Sequence, residues 1–359
     1  MNHSGVYVIA EAGVNHNGDL ARAFELVDVA AASGANAVKF QTFKADLLAT
    51  ANAVKADYQV VNTGESGNQL DMLRALELAH EDHAALLRHC RERGIDFMST
   101  AFDADSLRFL ATLGMPAIKL PSGDITCAPL LLQAARLRMP MILSSGMSTL
   151  SDLEAALGVL AFGLTSDVEP RTLADFDAAY CRAEGRAALQ QHVTLMHCVT
   201  QYPAPPSAVN LRAMDTMAQA FGLPVGYSDH TLGCDVALAA VARGACVLEK
   251  HFTLDRNLPG PDHAASLEPD ELTRLISGIR TIEAALGSSR KAPADAEVAN
   301  RAIARRSIVA ARLIRRGDLL SADALTTKRP GHGISPMLFW DLLGRRAVRD
   351  FEADELIEL

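Results

Sequence analysis

The amino-acid sequence predicts a (β/α)8 barrel followed by a small β-rich domain. Eight short apolar runs alternate with helix-length segments up to about residue 286, which is typical of buried parallel strands joined by crossover helices. A doubly wound open sheet is the alternative, but the GxGxxG turn that often follows its first strand is missing. Residues 302–359 have a different character, with short β runs separated by turn residues.

The predicted strands are rich in aliphatic residues, and most end in polar side chains. They span Val6–Gly13, Ala37–Phe43, Phe97–Phe102, Ala117–Asp124, Met141–Met147, Val193–Tyr202, Pro224–Thr231 and Val247–Leu254. Helical periodicity fills the segments between them, with stop signals such as Gly34 and Gly94. Two insertions interrupt the pattern. Lys44–Leu78 follows a strand and is expected on the catalytic face of the barrel, whereas Thr165–Gln191 follows a helix and is expected on the opposite face.

We predict three segments: a barrel over residues 1–286, a linker over 287–301 and a C-terminal domain over 302–359. The linker is polar and contains proline. The C-terminal domain should contain short strands and one helix around Pro336–Leu343. Because so short a chain buries little apolar surface, we expect it to dock on a barrel, either its own or that of a neighbouring chain.

Composition and charge exclude several classes of function. The chain has 359 residues, of which 49% are hydrophobic and 21% charged, and its net charge of −9 argues against binding nucleic acid or anionic lipid. Its six scattered cysteines have no metal-site spacing, so most are expected to be buried thiols. A membrane-length apolar stretch and a signal peptide are both missing, so we expect a cytoplasmic protein.

Charged and polar side chains gather where the predicted strands end, and this edge carries the active site in a (β/α)8 barrel. Lys39 and Lys119 lie within apolar strands, where an ammonium group needs an anionic partner. Together with Thr100, Ser122 and Ser145 they predict a cradle for phosphate and carboxylate groups. Serine and threonine at such positions are equally typical of helix N-caps.

Two histidines end the last two predicted strands, which are neighbours in a closed barrel. His230 and His251 can therefore converge, and two imidazoles with water and substrate oxygens suit Mn2+ or a similar divalent ion. Taken singly, each histidine is more typical of a polar network in the core. Asp262 follows the last strand and could hold a metal-bound water or a sugar hydroxyl. Gln41 shares one strand face with Lys39 and is expected to contact substrate.

Nine ordered motifs resemble the sialic acid synthase family, from about residue 6 to the C-terminus. They are IAEAGVNHNGD, KFQTFKA, STAFD, KLPSGD, SSGMS, HCVTQYPAP, GYSDHTLG, EKHFTLDRNLPGPDH and KRPGHGIS. The resemblance implies a TIM barrel followed by an antifreeze-like (SAF) domain. It also implies a domain-swapped homodimer, in which the SAF domain of one chain caps the barrel of the other.

The resemblance implies that phosphoenolpyruvate condenses with an open-chain N-acylated amino sugar and that phosphate leaves by C–O cleavage. We expect N-acetylmannosamine as the acceptor and N-acetylneuraminate as the product. The alternative is a 2,4-diacetamido-2,4,6-trideoxymannose acceptor, which would give N,N'-diacetyllegionaminate. A divalent metal is implied as cofactor, Mn2+ first, with Mg2+ or Co2+ as alternatives.

Roles for individual residues also follow from the resemblance. His230 and His251 match metal ligands, Glu11 matches an acid near the reacting carbons, and Arg329 matches a SAF arginine that touches the acyl group of the sugar. The positions that hold phosphoenolpyruvate correspond to Lys39, Thr100, Lys119, Ser122, Thr200, Tyr202 and Ser228. Asp124 stands where relatives often have glutamate, which leaves a general-base role for it open.

Two rival functions remain open at this stage. In a class I aldolase, Lys39 or Lys119 would form a Schiff base with the substrate. That chemistry needs neither the histidine pair nor the second lysine. A non-catalytic glycan-binding protein would need none of the charged strand ends.

Overall fold

The computed structural model describes residues 5–64 and 67–359, which form two compact units, one ending at Gly287 and the other spanning Ser288–Leu359. Eight parallel strands form the first unit's sheet: β1 (Tyr7–Gly13), β2 (Ala37–Thr42), β3 (Asp96–Ala101), β4 (Ile118–Leu120), β5 (Met141–Ser144), β6 (Val193–Cys198), β7 (Val225–Asp229) and β8 (Val247–His251). Each strand pairs with the next and β8 pairs with β1, so the sheet is a closed barrel. The predicted fold class is confirmed.

The helices of the first unit occupy the segments between the strands. They are α1 (Leu20–Ala32), α2 (Ala45–Leu48), α3 (Asp57–Thr63), α4 (Gln69–Leu76), α5 (His80–Arg93), α6 (Ala104–Ala111), α7 (Ala128–Arg136), α8 (Leu150–Thr165), α9 (Leu173–Cys181), α10 (Ala183–His192), α11 (Pro206–Val209), α12 (Ala213–Phe221), α13 (Asp235–Ala242) and α14 (Pro269–Leu286). Local sequence sets their ends. The Asp19 side chain accepts a hydrogen bond from Ala21 N at the start of α1, and Gly94 ends α5 in the left-handed conformation.

All eight strands lie where the sequence predicts them, but most end earlier. The largest difference is at β4, predicted as Ala117–Asp124 and observed as Ile118–Leu120, because Ser122–Asp124 forms a single turn of 3-10 helix. The residues beyond each strand turn away from the sheet and form the loops above the barrel. Most of the predicted site residues occupy the last positions of the strands or lie in these loops.

The barrel interior is filled in layers by alternate strand residues. Near the N-terminal ends the inward side chains are apolar and buried: Tyr7, Ile9, Ala37, Met98, Ala117, Ile142, Met196 and Val247. A larger apolar cluster lies between the outward strand faces and the surrounding helices. Moving toward the C-terminal ends, the inward residues become charged and polar, and this change places the candidate site at the mouth of the barrel.

Both insertions are helical. Lys44–Leu78 contains α2, α3 and α4, and its side chains contribute to the cavity described below. Thr165–Gln191 contains α9 and most of α10, and both of these helices pack against α8.

The second unit contains a two-stranded antiparallel sheet, β9 (Ser307–Ala310) with β10 (Leu325–Lys328), and the helices α15 (Asp295–Ala304) and α16 (Phe339–Leu342). Its own small core includes Ile308, Leu325 and Phe351. The segment predicted as a polar linker, 287–301, includes the first residues of α15. Four alanines and an acidic first turn favour that helix.

All six cysteines are free thiols, and Cys127 and Cys181 are exposed rather than buried. Within residues 5–64 and 67–359, no helix is both long and apolar enough to cross a membrane.

Candidate active site

A cavity of about 320 Å³ opens where the barrel strands end, and most of the predicted site residues line it. Those that do are Glu11, Lys39, Gln41, Thr100, Lys119, Ser122, Thr200, Tyr202, Ser228, His230, His251 and Asp262. They come from seven of the eight strands or from the loops that follow them. A concave site with many convergent polar groups is the usual form of an enzyme active site.

Two buried lysines and two buried glutamates form the floor of the cavity. Lys39 Nζ lies 2.5 Å from Glu11 Oε2 and 3.4 Å from Glu249 Oε2. Lys119 Nζ lies 3.0 Å from Glu249 Oε1. All four side chains are 5% exposed or less. The anionic partners that the sequence required for the two lysines are therefore Glu11 and Glu249, and the sequence alone did not indicate a role for Glu249.

Hydrogen bonds extend this charged floor to neighbouring strands. Lys39 Nζ donates to Thr100 Oγ1 at 2.9 Å, and Ser228 Oγ donates to Glu249 Oε1 at 2.9 Å. Lys39 and Glu249 thus each have three partners, and such additional hydrogen bonds help a buried ionic network to be tolerated.

The two glutamates have opposite pKa shifts. Burial raises the pKa of Glu11 to about 7, although the ammonium group of Lys39 opposes this. Burial also acts to raise the pKa of Glu249, but Lys119 and Lys39 outweigh it and hold that pKa below its ordinary value. Near neutral pH, Glu249 is therefore the fixed anion and Glu11 can gain or lose a proton.

His230 and His251 lie side by side above this floor, with ring centroids 5.6 Å apart. His230 Nδ1 donates to the Val199 carbonyl at 2.6 Å, and this bond leaves a lone pair on Nε2. Burial lowers the pKa of His230 to about 4 and lowers that of His251 as well, assisted by the neighbouring imidazole. Both rings are therefore neutral at pH 7.

Two neutral imidazoles are suitable ligands for a divalent transition metal. His251 Nδ1 is buried and has no hydrogen-bond partner among the described residues. Those residues include no group of three or more His, Cys, Asp or Glu side chains placed to share one ion. A metal held by His230 and His251 would therefore complete its coordination with oxygen atoms of water or substrate.

Two buried hydroxyl groups in the cavity also lack partners among the described residues. They are Ser144 Oγ and Thr200 Oγ1. Buried polar groups without partners are rare in folded proteins, so these hydroxyls are placed to bind a polar ligand. Gly146 keeps this region open, because a Cβ atom there would lie 2.1 Å from Thr200 Oγ1 and 2.8 Å from Ser122 Oγ.

Two predicted site residues of the barrel unit, Ser145 and Asp124, do not line this cavity. Ser145 Oγ donates to the Met196 carbonyl at 2.8 Å, so its neighbour Ser144 lines the cavity instead. Asp124 lies in the 3-10 turn after β4, outside the cavity lining, and burial raises its pKa to about 6. Arg329 follows β10 in the second unit and is exposed.

The first insertion supplies part of the cavity wall, which the sequence did not indicate in detail. The Tyr58 ring lies 5.1 Å from that of Tyr202, which lies 4.1 Å from the His230 ring. Asn62 Nδ2 donates to the Pro261 carbonyl in the loop after β8 at 2.7 Å. The loop residue next to it, Asp262, lines the cavity, and burial raises its pKa to about 6.

Sequence comparisons agree with this architecture. A model of the NeuB family matches residues 26–291, and a model of the SAF domain matches residues 305–358. The chain belongs to the NeuB family. The predicted SAF domain therefore corresponds to the second unit, and the predicted resemblance to sialic acid synthases is confirmed.

Relatives in the NeuB family are similar over nearly the whole chain. The N,N'-diacetyllegionaminic acid synthase of Campylobacter jejuni is 46% identical over 350 residues, covering 98% of each chain. That of Legionella pneumophila is also 46% identical, over 97% of this chain and 92% of its own. The crystal structure of the N-acetylneuraminic acid synthetase from Leptospira borgpetersenii, in complex with citrate, is 31% identical. It has a TM-score of 0.66 over 83% of this chain and 90% of its own.

Proposed function

We propose that this chain condenses phosphoenolpyruvate with an open-chain N-acylated amino sugar, giving a nine-carbon sialic acid-type product and phosphate. The observation that carries this proposal is the buried floor of two lysines and two glutamates beneath two neutral histidines. A trianionic substrate needs compensating cations, and a carbon–carbon bond-forming step needs a polarised aldehyde next to it.

Phosphoenolpyruvate would bind at the floor of the cavity. Lys39 and Lys119 supply cationic groups, and the unpartnered hydroxyls of Ser144 and Thr200 supply donors for phosphate or carboxylate oxygens. When Glu11 carries a proton, the two ammonium groups face one fixed carboxylate, Glu249, so the floor has a net positive charge. The contribution of these residues is positioning and electrostatic stabilisation.

The proposed reaction joins carbon 3 of phosphoenolpyruvate to the aldehyde carbon of the sugar. The electron pair of the enol double bond forms the new bond, and the aldehyde oxygen takes up a proton. Water then adds at carbon 2 and gives up one proton. The C–O bond to phosphate breaks, phosphate leaves with the bridging oxygen and takes up the remaining hydroxyl proton, and a ketone is left at carbon 2. Glu11, with a pKa of about 7, is suited to hold and release a proton at this place. A divalent ion bound by His230 and His251 would supply Lewis-acid polarisation of the aldehyde.

For the acceptor, we propose 2,4-diacetamido-2,4,6-trideoxymannose in place of N-acetylmannosamine. The sequence motifs favoured N-acetylmannosamine, but two relatives that are 46% identical over almost the whole chain are N,N'-diacetyllegionaminic acid synthases. The product would then be N,N'-diacetyllegionaminate.

The site gives little support to a Schiff-base aldolase. Such an enzyme needs a neutral amine as nucleophile. Glu11 and Glu249 outweigh the effect of burial on Lys39 and raise its pKa, and Lys119 lies 3.0 Å from Glu249. Lys39 is therefore held as a cation, and both lysines are engaged by carboxylates, an arrangement that suits anion binding.

Phosphate release tests the proposal directly. Phosphoenolpyruvate would be incubated with the full chain, Mn2+ and one of three sugars: N-acetylmannosamine, its 6-phosphate or the diacetamido-trideoxy sugar. We expect sugar-dependent phosphate release that is fastest with the last, and loss of release in Lys119→Met. Release with none of the sugars would refute the function. A mass increase after borohydride treatment with pyruvate would favour the aldolase.

A further inference from the structure

One complete wall of the cavity is apolar and comes mainly from the first insertion. Seven side chains form a separate hydrophobic cluster, and every one of them lines the cavity: Val14, Phe43, Leu48, Met72, Leu73, Leu76 and Phe102. Three of these are buried and four are half-buried, so the wall is packed from behind and open on the cavity side. Apolar surface that faces a cavity gains free energy when a ligand covers it.

The polar groups that the insertion adds to the cavity are neutral. They are Tyr58, Gln59 and Gln69. Amide and phenol groups can hydrogen-bond to an acylamino substituent without requiring a charge. A ligand for this part of the cavity should therefore combine apolar groups with neutral hydrogen-bonding groups.

Within the described part of the chain, the cationic lysine and arginine residues that line the cavity are Lys39 and Lys119, both paired with glutamates at its floor. The basic residues of the insertion do not line it. Lys44 pairs with Glu77 at 2.7 Å, and Arg74 pairs with Asp46. A phosphate group on the far end of the acceptor would find no cation at this wall.

From these observations we propose that the apolar wall is the subsite for the far end of the acceptor. It binds the carbon 6 methyl group and the methyl of the carbon 4 acylamino group of a trideoxy amino sugar. This inference rests on the proposed function and assigns its choice of acceptor to Met72 and Leu73, on α4. A hydroxyl at carbon 6 would lose its hydrogen bonds to water at this wall, and a phosphate would be excluded.

The test exchanges wall residues for polar residues of similar size. Met72→Gln keeps the length of the side chain and a good helix former on α4. Leu73→Gln is the second variant, in case the first does not fold. Val61→Gln is the matched control, because Val61 belongs to the same insertion but is 78% exposed and outside the cavity lining. For each protein, kcat/KM is measured with the trideoxy sugar and with N-acetylmannosamine, together with the KM for phosphoenolpyruvate.

We expect the unmodified chain to prefer the trideoxy sugar by about tenfold to a hundredfold, the range for one methyl or hydroxyl in an apolar pocket. Met72→Gln should reduce that preference by about tenfold and leave the phosphoenolpyruvate KM unchanged, and Val61→Gln should change neither. Equal use of both sugars by the unmodified chain, or equal loss for both in the wall variants, would overturn the subsite. Phosphate release with neither sugar would instead refute the proposed function.

Discussion

The outer face of the barrel contains a second buried ion pair, and removing its lysine should destabilise the protein. Lys250 Nζ donates to Asp229 Oδ2 at 2.7 Å and also approaches the Thr231 carbonyl at 2.5 Å. The side chain of Lys250 is 1% exposed and that of Asp229 is 0% exposed. Lys250 and Asp229 lie on the strand faces that pack against helices, opposite the inward-facing Glu249 and Ser228. Lys250→Met would leave the Asp229 carboxylate buried without a counter-ion.

The loss can be estimated from the partners that remain. Breaking a buried pair by removing one member costs about 3–5 kcal/mol. The other Asp229 oxygen still accepts bonds from Tyr227 Oη, Thr231 N and Thr231 Oγ1, so we expect the lower end, about 3 kcal/mol. For a domain of this size the melting temperature falls by about 2 °C per kcal/mol, which gives a decrease of about 6 °C.

Thermal unfolding monitored by circular dichroism checks this value. Asp229→Asn/Lys250→Met removes both charges and should recover most of the loss, since the remaining groups are neutral. Lys44→Met is the surface control. It breaks the half-exposed pair with Glu77, for which we expect less than about 1 kcal/mol. If Lys250→Met melts within 1 °C of the control, the buried pair does not stabilise the junction of β7 and β8.

Three further predictions concern the reaction. EDTA should abolish turnover, and added Mn2+ should restore it. In calorimetry, His251→Ala should weaken the binding of Mn2+ far more than the binding of phosphoenolpyruvate. Full activity without metal would contradict the two-histidine site. An 18O label in the bridging position of phosphoenolpyruvate should appear in phosphate, and label retained in the sugar would exclude C–O cleavage. Mixed Lys119→Ala and Arg329→Ala subunits should regain activity if one chain caps another; heterodimers that stay inactive would reject trans capping.

Much of the fold was predictable because its signals are local and repeated. Each strand is a short apolar run, and each barrel helix has its own periodicity and stop signals. The ends of the strands were less predictable. At β4 the sequence continues with Pro121 and Ser122, and a hydrogen-bonded turn there competes with the strand, which ends at Leu120.

The sequence predicted Ser145 as a site residue, whereas Ser144 lines the cavity, and this difference has a more specific cause. Alternate residues face the interior, so Ile142 and Ser144 point inward while Met141 and Leu143 pack against helices. In a parallel barrel both faces of a strand are buried, and both are therefore apolar. Hydrophobicity alone could not tell which serine follows the inward face.

Charged residues in the strands can indicate which face of a strand points into the barrel, but only once their ionic partners are known. The sequence indicated that Lys39 and Lys119 require anions, and the structure supplies Glu11 and Glu249 inside the barrel. Lys250 follows Glu249 directly and is as deeply buried, yet it faces outward, where Asp229 neutralises it. A buried lysine therefore predicts a carboxylate nearby, whichever face it occupies. The cavity floor differs from the outer pair because its two lysines share the Glu249 carboxylate beneath an open cavity. Within the described residues, the hydroxyls of Ser144 and Thr200 in this cavity have no partner, so the floor retains donors for an anionic ligand.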